Sequence, residues 1–443
     1  MDYLSSLQGT LDNPNINWKG IVLGFSVGQY LFETILNYRQ YKVLQRTAPP
    51  AEIGEFVDDV TFNKSQDYGR AKARFGFVSD LYGLVQNSLL IKYNVLPKIY
   101  SFAGCVLKRF APVWLNGAIP QSIFMFLGLG TVSTLISLPL SIYSTFVLEE
   151  KYGFNKQTPK IFITDLFKSQ LLSWAIAPPL MTAFLKIIDY FGNKFFFYLW
   201  VFFLMFQFIA ITVYPTLIQP LFNKLEPLED GELKDAIEAL ALRVNFPLKK
   251  LYVIDGSKRS GHSNAYFYGL PWSKQIVLYD TLIEQCNKEE VVAILGHEIG
   301  HWAESHVTKM LVGVQIHIFS IFVLFSSFFK NNSFYQSFGF APGLMPVLAG
   351  FALFNDVLSP LESVVQFLMN IQSRKAEYEA DAYASKLGYG HGLRNGLVKI
   401  HKENLGTMNA DWIFSAYHHS HPILPHRLAA LGLQDEKQVR KEK

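Results

Sequence analysis

The sequence predicts an α-helical, multi-pass membrane protein with a soluble α/β insert. Three observations point there: 50% of the 443 residues are apolar, only 17% are charged, and apolar runs long enough to cross a bilayer recur along the chain. A soluble domain carries about 25% charged residues, so this chain is short of polar surface. Its 40 Lys and Arg against 36 Asp and Glu give a net charge of +4, too balanced for a nucleic-acid partner. A mean hydropathy of +0.17 excludes disorder. Two cysteines, Cys105 and Cys286, exclude a disulfide framework.

A hydrocarbon core about 30 Å thick needs roughly 20 apolar residues of helix. Candidate spans lie at about 19–38, 75–95, 119–147, 170–190, 195–218, 309–329 and 346–369. The second is the weakest, interrupted by Asp80, Gln86 and Asn87, and 92–117 reads as a loop or a further half-buried helix. The N-terminus has Asp2 and Asp12 and no basic leader, so the first span reads as an uncleaved anchor. Basic residues collect at Arg39, Lys42, Arg46, Lys64, Arg70, Lys72 and Arg74, and again at Lys151, Lys156, Lys160 and Lys168. By the positive-inside rule those loops, segment 219–308 and the C-terminus face the cytosol. Lys92, Lys98, Lys108 and Arg109 depart from the rule. On this topology the sequon at Asn63 is cytosolic and the one at Asn331 lumenal. Glu33, Asp80, Lys186, Asp189, Asp356 and Glu362 fall inside spans, which suits a wet interior or pairing such as Lys186 with Asp189.

Segment 219–308 reads as the soluble insert. Leu233, Ile237, Leu240 and Leu242 space a helix over 229–245. Aromatic and β-branched runs at 251–254, 265–268 and 275–279 read as strands, and another helix starts near Lys288.

That last helix carries His297-Glu298-Ile299-Gly300-His301, an HExxH motif. Side chains four apart share a helical face, so both imidazoles can reach one zinc ion, with Glu298 beside them as a proton acceptor. The metzincin pattern needs Gly and His where Glu304 and Val307 stand, and His306, one position short, reads as an ordinary polar residue. A better third ligand lies in SRKAEYEAD, residues 373–381, where Glu377 and Asp381 share a face. Glu377 can complete a His₂Glu site with an open fourth position. Asp381 can then bind the far nitrogen of a ligand imidazole. Lys375 and Glu379 suit an exposed, charged helix surface.

With HSNAYFYG at 262–269 and SAYHHSHPILPHRLAAL at 415–431 added to these motifs, nearly the whole chain resembles the CAAX prenyl protease 1 family. These are integral-membrane zinc proteases that include the fungal a-factor-converting enzymes. The resemblance implies one zinc per chain, Glu377 rather than Glu379 as ligand, and a ring of seven helices around a large chamber. It implies partners as well: the lipid bilayer and prenylated C-terminal CAAX peptides, from which the last three residues are removed. A further upstream cut in a mating-pheromone precursor and residence in the endoplasmic reticulum membrane belong to the same implication. Asn264, Ala265 and Tyr266 look like the edge strand that receives the substrate backbone. His421 resembles the oxyanion-stabilising histidine, with Glu298 as the catalytic base, and Arg427 resembles the arginine that orders the site around the substrate. His426 stands where the family pattern has an acidic residue.

The expected fold class is an α-helical multi-pass membrane protein, about seven transmembrane helices enclosing a chamber, with a gluzincin-like α/β zinc metalloprotease domain on the cytosolic side. Residues 1–218 would hold spans one to five, 219–308 the protease insert, 309–369 spans six and seven, and 370–443 the third ligand and His421. A quality-control protease for membrane proteins would use the same residues on other substrates. A scaffold or transporter would have no use for a ligand set complete with its base. The tail, Arg440-Lys441-Glu442-Lys443, resembles a dibasic retrieval signal.

Overall fold

Apolar composition and end-capping together set the helices. Trp18–Val43 and Asp59–Lys92 cover the first two candidate spans, the second capped by Asp58, whose carboxylate accepts from Thr61 N at 2.8 Å. The 92–117 region forms an amphipathic helix, Val95–Phe110, that buries Tyr100, Ala103, Gly104 and Leu107 and exposes Phe102 and Phe110. The later candidates fall in Ala118–Tyr143, Pro159–Phe191, Phe195–Val213, His306–Phe325 and Val347–Lys386. The computed structural model describes residues 2–270 and 272–441, so Glu442 and Lys443 of the basic tail lie outside it.

Among the described residues, four helical stretches are long and apolar enough to cross a membrane: Ala118–Tyr152, Pro159–Leu221, His306–Phe325 and Val347–Lys386. Pro159–Leu221 contains two candidate spans, separated where Gly192 turns to φ 52. The helices over the first two candidates are more polar and fall outside these four stretches. Polar groups inside the spans pair between elements rather than within a turn. Glu33 meets His418 at 3.1 Å, Glu362 meets His317 at 3.0 Å, and Asn37 donates to Asp80 at 3.3 Å. Lys186 and Asp189 are exposed, and no ion pair joins them among the described residues.

The insert forms a four-stranded sheet of β1 (Leu225–Pro227), β2 (Leu248–Ile254), β3 (Ala265–Leu270) and β4 (Ser273–Tyr279), in the order β1-β2-β4-β3. β2 and β4 run parallel, while β3 returns antiparallel to β4 with Ala265 opposite Leu278. β3 is therefore an edge strand. The helix Glu232–Arg243 packs Ile237, Leu240 and Ala241 into a core that also draws on Ile53, Val57 and Phe62 from the first loop. Leu393, Leu397, Leu424 and Leu428 complete that core from the C-terminal part.

The helix Lys288–Ala303 runs through this core. Asn287 and Glu290 form a capping box at its start, and Val291, Val292, Leu295 and Ile299 bury one side. Its other side touches the 40-residue helix Val347–Lys386. Gly300 is the point of closest approach: a Cβ there would lie 3.1 Å from both the Cα and the carbonyl oxygen of Ala380. Gly300→Val should force the two helices apart, destabilising the fold by about 1–3 kcal/mol and weakening metal binding; thermal melting and metal content check both.

The sequons give a second prediction. Asn331 is fully buried, its side chain accepting from Phe334 N at 2.8 Å and from Ser333 Oγ at 2.9 Å. Asn63 sits inside a helix with Nδ2 donating to Asp59 O at 2.8 Å. Neither should carry a glycan, and a glycosidase-sensitive mobility shift lost on Asn63→Gln would overturn the topology expected from the charge distribution.

Candidate metal centre

Two helices and one loop converge on a single point. His297 and His301 project from Lys288–Ala303, and their Nε2 atoms face each other at 3.2 Å. Glu377, from the long helix crossing at Gly300, sets Oε1 3.2 Å from His301 Nε2 and Oε2 3.5 Å from His297 Nε2. One donor atom from each of the three residues lies within 4.8 Å of the others.

The partners of the outward nitrogens assign the inward ones. His297 Nδ1 lies 2.8 Å from Asp381 Oδ1, a carboxylate with no exposure. Asp381 only accepts, so Nδ1 carries the proton and Nε2 presents a lone pair. Two imidazole lone pairs facing one another beside a carboxylate repel unless a cation lies between them. Glu377 Oε2 is also buried with no hydrogen-bond partner. A buried carboxylate with no hydrogen bond at this oxygen, set beside two convergent imidazole nitrogens, fits a bound metal ion.

Arg427 binds this arrangement together. It is 6% exposed and donates to Asp381 through Nε at 2.9 Å and Nη2 at 2.6 Å, while Nη1 lies 3.3 Å from Glu377 Oε2. Its guanidinium is thus engaged with two carboxylates. Burial works against both acids, but Arg427, joined at Asp381 by the Nδ1–H of His297, favours their anions and both lie below the ordinary carboxylate range. Glu298 goes the other way: burial raises it, and no hydrogen bond or ion pair of its carboxylate is found among the described residues. Three acids in one site therefore divide into two fixed anions and one group able to exchange a proton.

Residues 40–224 match the family described as CAAX prenyl protease N-terminal, five membrane helices, and residues 227–434 match peptidase family M48. The CAAX prenyl protease 1 of Saccharomyces cerevisiae is 49% identical, across 97% of this chain and 99% of that protein. The chain belongs to the CAAX prenyl protease 1 family. The Homo sapiens CAAX prenyl protease 1 homolog is 37% identical over 93% of this chain and 94% of its own length. The crystal structure of S. mikatae Ste24p, 49% identical, superposes with a TM-score of 0.90 over 94% of this chain and 99% of that one. The protein is accordingly a multi-pass membrane metallopeptidase with a metal cofactor.

The remaining sequence-derived residues surround this centre. His421 lies in the loop before Leu424–Lys441, 64% exposed at its side chain, with Nε2 3.2 Å from Glu377 Oε1. Arg374 fixes that loop by donating through Nη1 to the carbonyls of Ser415, Ala416 and His419 at 3.1, 2.8 and 2.7 Å. Asn264 is exposed at the start of β3, and its Oδ1 accepts from Ala265 N at 2.8 Å. Ala265 is buried, and Tyr266 accepts from Gln219 Nε2 at 2.6 Å. His426 is exposed on the first turn of Leu424–Lys441.

Two residues given no role at the site from sequence, His306 as an ordinary polar residue and Glu379 as part of a charged helix surface, lie next to it. His306 is 6% exposed and contacts His301, while Glu379 pairs with His306. The sequence hides this because Ser305 adopts φ 57 and breaks the helix, turning His306 back toward a residue five positions earlier. A continuous helix would point it elsewhere.

Asp381→Asn should weaken metal affinity about 10–100-fold while the fold persists, as read by a chelator competition titration alongside circular dichroism. Wild-type affinity in that variant would return Asp381 to a packing role.

Proposed function

We propose that this chain is a zinc metalloendopeptidase of the endoplasmic reticulum membrane, acting from the cytosolic side. It removes the C-terminal tripeptide from prenylated CAAX proteins. The observation that carries this reading is the convergence of His297, His301 and Glu377 beside a desolvated, unpartnered Glu298, in a chain 49% identical to a CAAX prenyl protease 1. A tetrahedral zinc site with bonds of about 2.0–2.2 Å sets its donors roughly 3.3–3.6 Å apart. The two imidazole nitrogens stand 3.2 Å apart, and Glu377 approaches His301 through Oε1 at 3.2 Å and His297 through Oε2 at 3.5 Å, with one donor atom of each residue within 4.8 Å of the others.

When bound, zinc supplies Lewis-acid polarisation of the scissile carbonyl and acidification of water. The chain supplies the rest. Glu298, raised by burial, takes a proton from the attacking water and returns it to the departing amine. His421, on a loop braced by Arg374, donates to the developing oxyanion. Edge strand β3, which follows Asn264 and begins at Ala265 and Tyr266, has a strand partner on one side only, so the substrate could add along the other as a further strand. Arg427 orders the site by holding Asp381 and Glu377.

The protease part comprises 219–308 and 370–443, and 1–218 with 309–369 form the membrane part. Only 6% of residues in the apolar windows of Ala118–Tyr152 and Pro159–Leu221 are buried within the protein. Most of that apolar surface lies outside the protein's packed core, where it is available to lipid or to the prenyl group of a substrate. Glu377 follows residue 369 by eight positions, a rise of about 12 Å along the helix. A prenyl chain on the apolar wall could then place its cysteine near the metal, with each buried CH₂ contributing up to about 0.8 kcal/mol.

A farnesylated CAAX peptide should be cleaved, between the modified cysteine and the next residue, at much higher kcat/KM than its unprenylated twin. Glu298→Ala should keep about one zinc per chain and abolish cleavage of both. Equal rates for the two peptides in detergent and in bilayers would favour a quality-control protease instead.

A further inference from the structure

The geometry points to His306 and Glu379 as positioning residues that aim His301 at the metal through a Glu379–His306–His301 hydrogen-bond chain; this rests on the zinc-protease reading above. His306 Nε2 lies 2.8 Å from Glu379 Oε2, and His306 Nδ1 lies 3.1 Å from His301 Nδ1. The proton assignments follow from the two ends. A carboxylate only accepts, so His306 Nε2 donates to Glu379. A His301 that holds a metal through Nε2 carries its own proton on Nδ1, so Nδ1 donates across the 3.1 Å contact and His306 Nδ1 accepts. His301 Nε2 is left with its lone pair, aimed at His297 Nε2 and Glu377 Oε1, each 3.2 Å away. The reverse tautomer would put hydrogen on the nitrogen that faces the metal.

The two ligand imidazoles are therefore oriented by different devices. His297 has a buried carboxylate directly behind it, Asp381, clamped by Arg427. His301 has a relayed one, with a buried imidazole between it and a Glu379 whose side chain is 36% exposed. Lys375 is the other charged partner of Glu379, at 3.7 Å on the solvent side. Nothing in HExxH spacing requires this relay; the left-handed Ser305 creates it.

The test is zinc affinity of the purified full-length chain, stripped and retitrated with zinc against a chromogenic chelator, with the melting temperature of the metal-free protein measured in parallel. His306→Phe fills the space without accepting or donating and should weaken zinc binding about 10–100-fold with little change in metal-free melting. His306→Gln, which keeps an acceptor and a donor, should recover most of the affinity. Glu379→Ala should also weaken binding, but add nothing in the His306→Phe background, because both act through one chain. Wild-type zinc affinity in His306→Phe, or additive losses in the double variant, would overturn the relay. A wild-type chain that binds no zinc would instead overturn the zinc-protease reading on which the relay rests.

Discussion

The close approach of Lys288–Ala303 to Val347–Lys386 is the contact on which the rest of the site depends. It is made where Gly300 meets Ala380, between the two halves of the donor set, and a side chain there would separate them. Asp381 then reaches His297, one turn beyond Glu377 on the same helix. Arg427 ties a third helix to both carboxylates. A buried charge left without its partner costs about 3–5 kcal/mol, so these groups hold one another in place. The packing of three helices and the preorganisation of the metal site are one property.

The long helix gives the molecule its division of labour. Over 40 residues it rises about 60 Å, running from the aromatic cluster of Phe325, Phe334, Tyr335 and Phe354 to Glu377 and Asp381. A packed aromatic core and the third metal-ligand candidate are therefore joined by one continuous helix.

The electrostatics assign the chemistry. Arg427 stabilises the anions of Glu377 and Asp381 against the cost of burial, and the Nδ1–H of His297 adds to this at Asp381. Glu298 lies in the same region without a hydrogen-bond partner among the described residues, and burial raises it against the opposing pull of His297, His301 and Arg427. Identical carboxyl groups become ligand, orienting group and proton carrier through what surrounds them.

Much of this was legible in the sequence. Periodicity and spacing identify the HExxH helix, its apolar face, the strands at β2, β3 and β4, and the shared face of Glu377 and Asp381, because each depends on residues close along the chain. The family resemblance added His421, Arg427 and the substrate strand. Tertiary structure alone decided which partner each polar group finds. Glu33 and Glu362 pair across elements with His418 and His317, distant in sequence. Arg427 closes on Asp381 through a fold that first assembles a core from the first loop, the insert and the C-terminal part. His306 joins His301 because one residue, Ser305, takes a left-handed conformation that no helical pattern announces. Local order follows from neighbouring residues along the chain, whereas a side chain's partner depends on which segments the whole fold brings together.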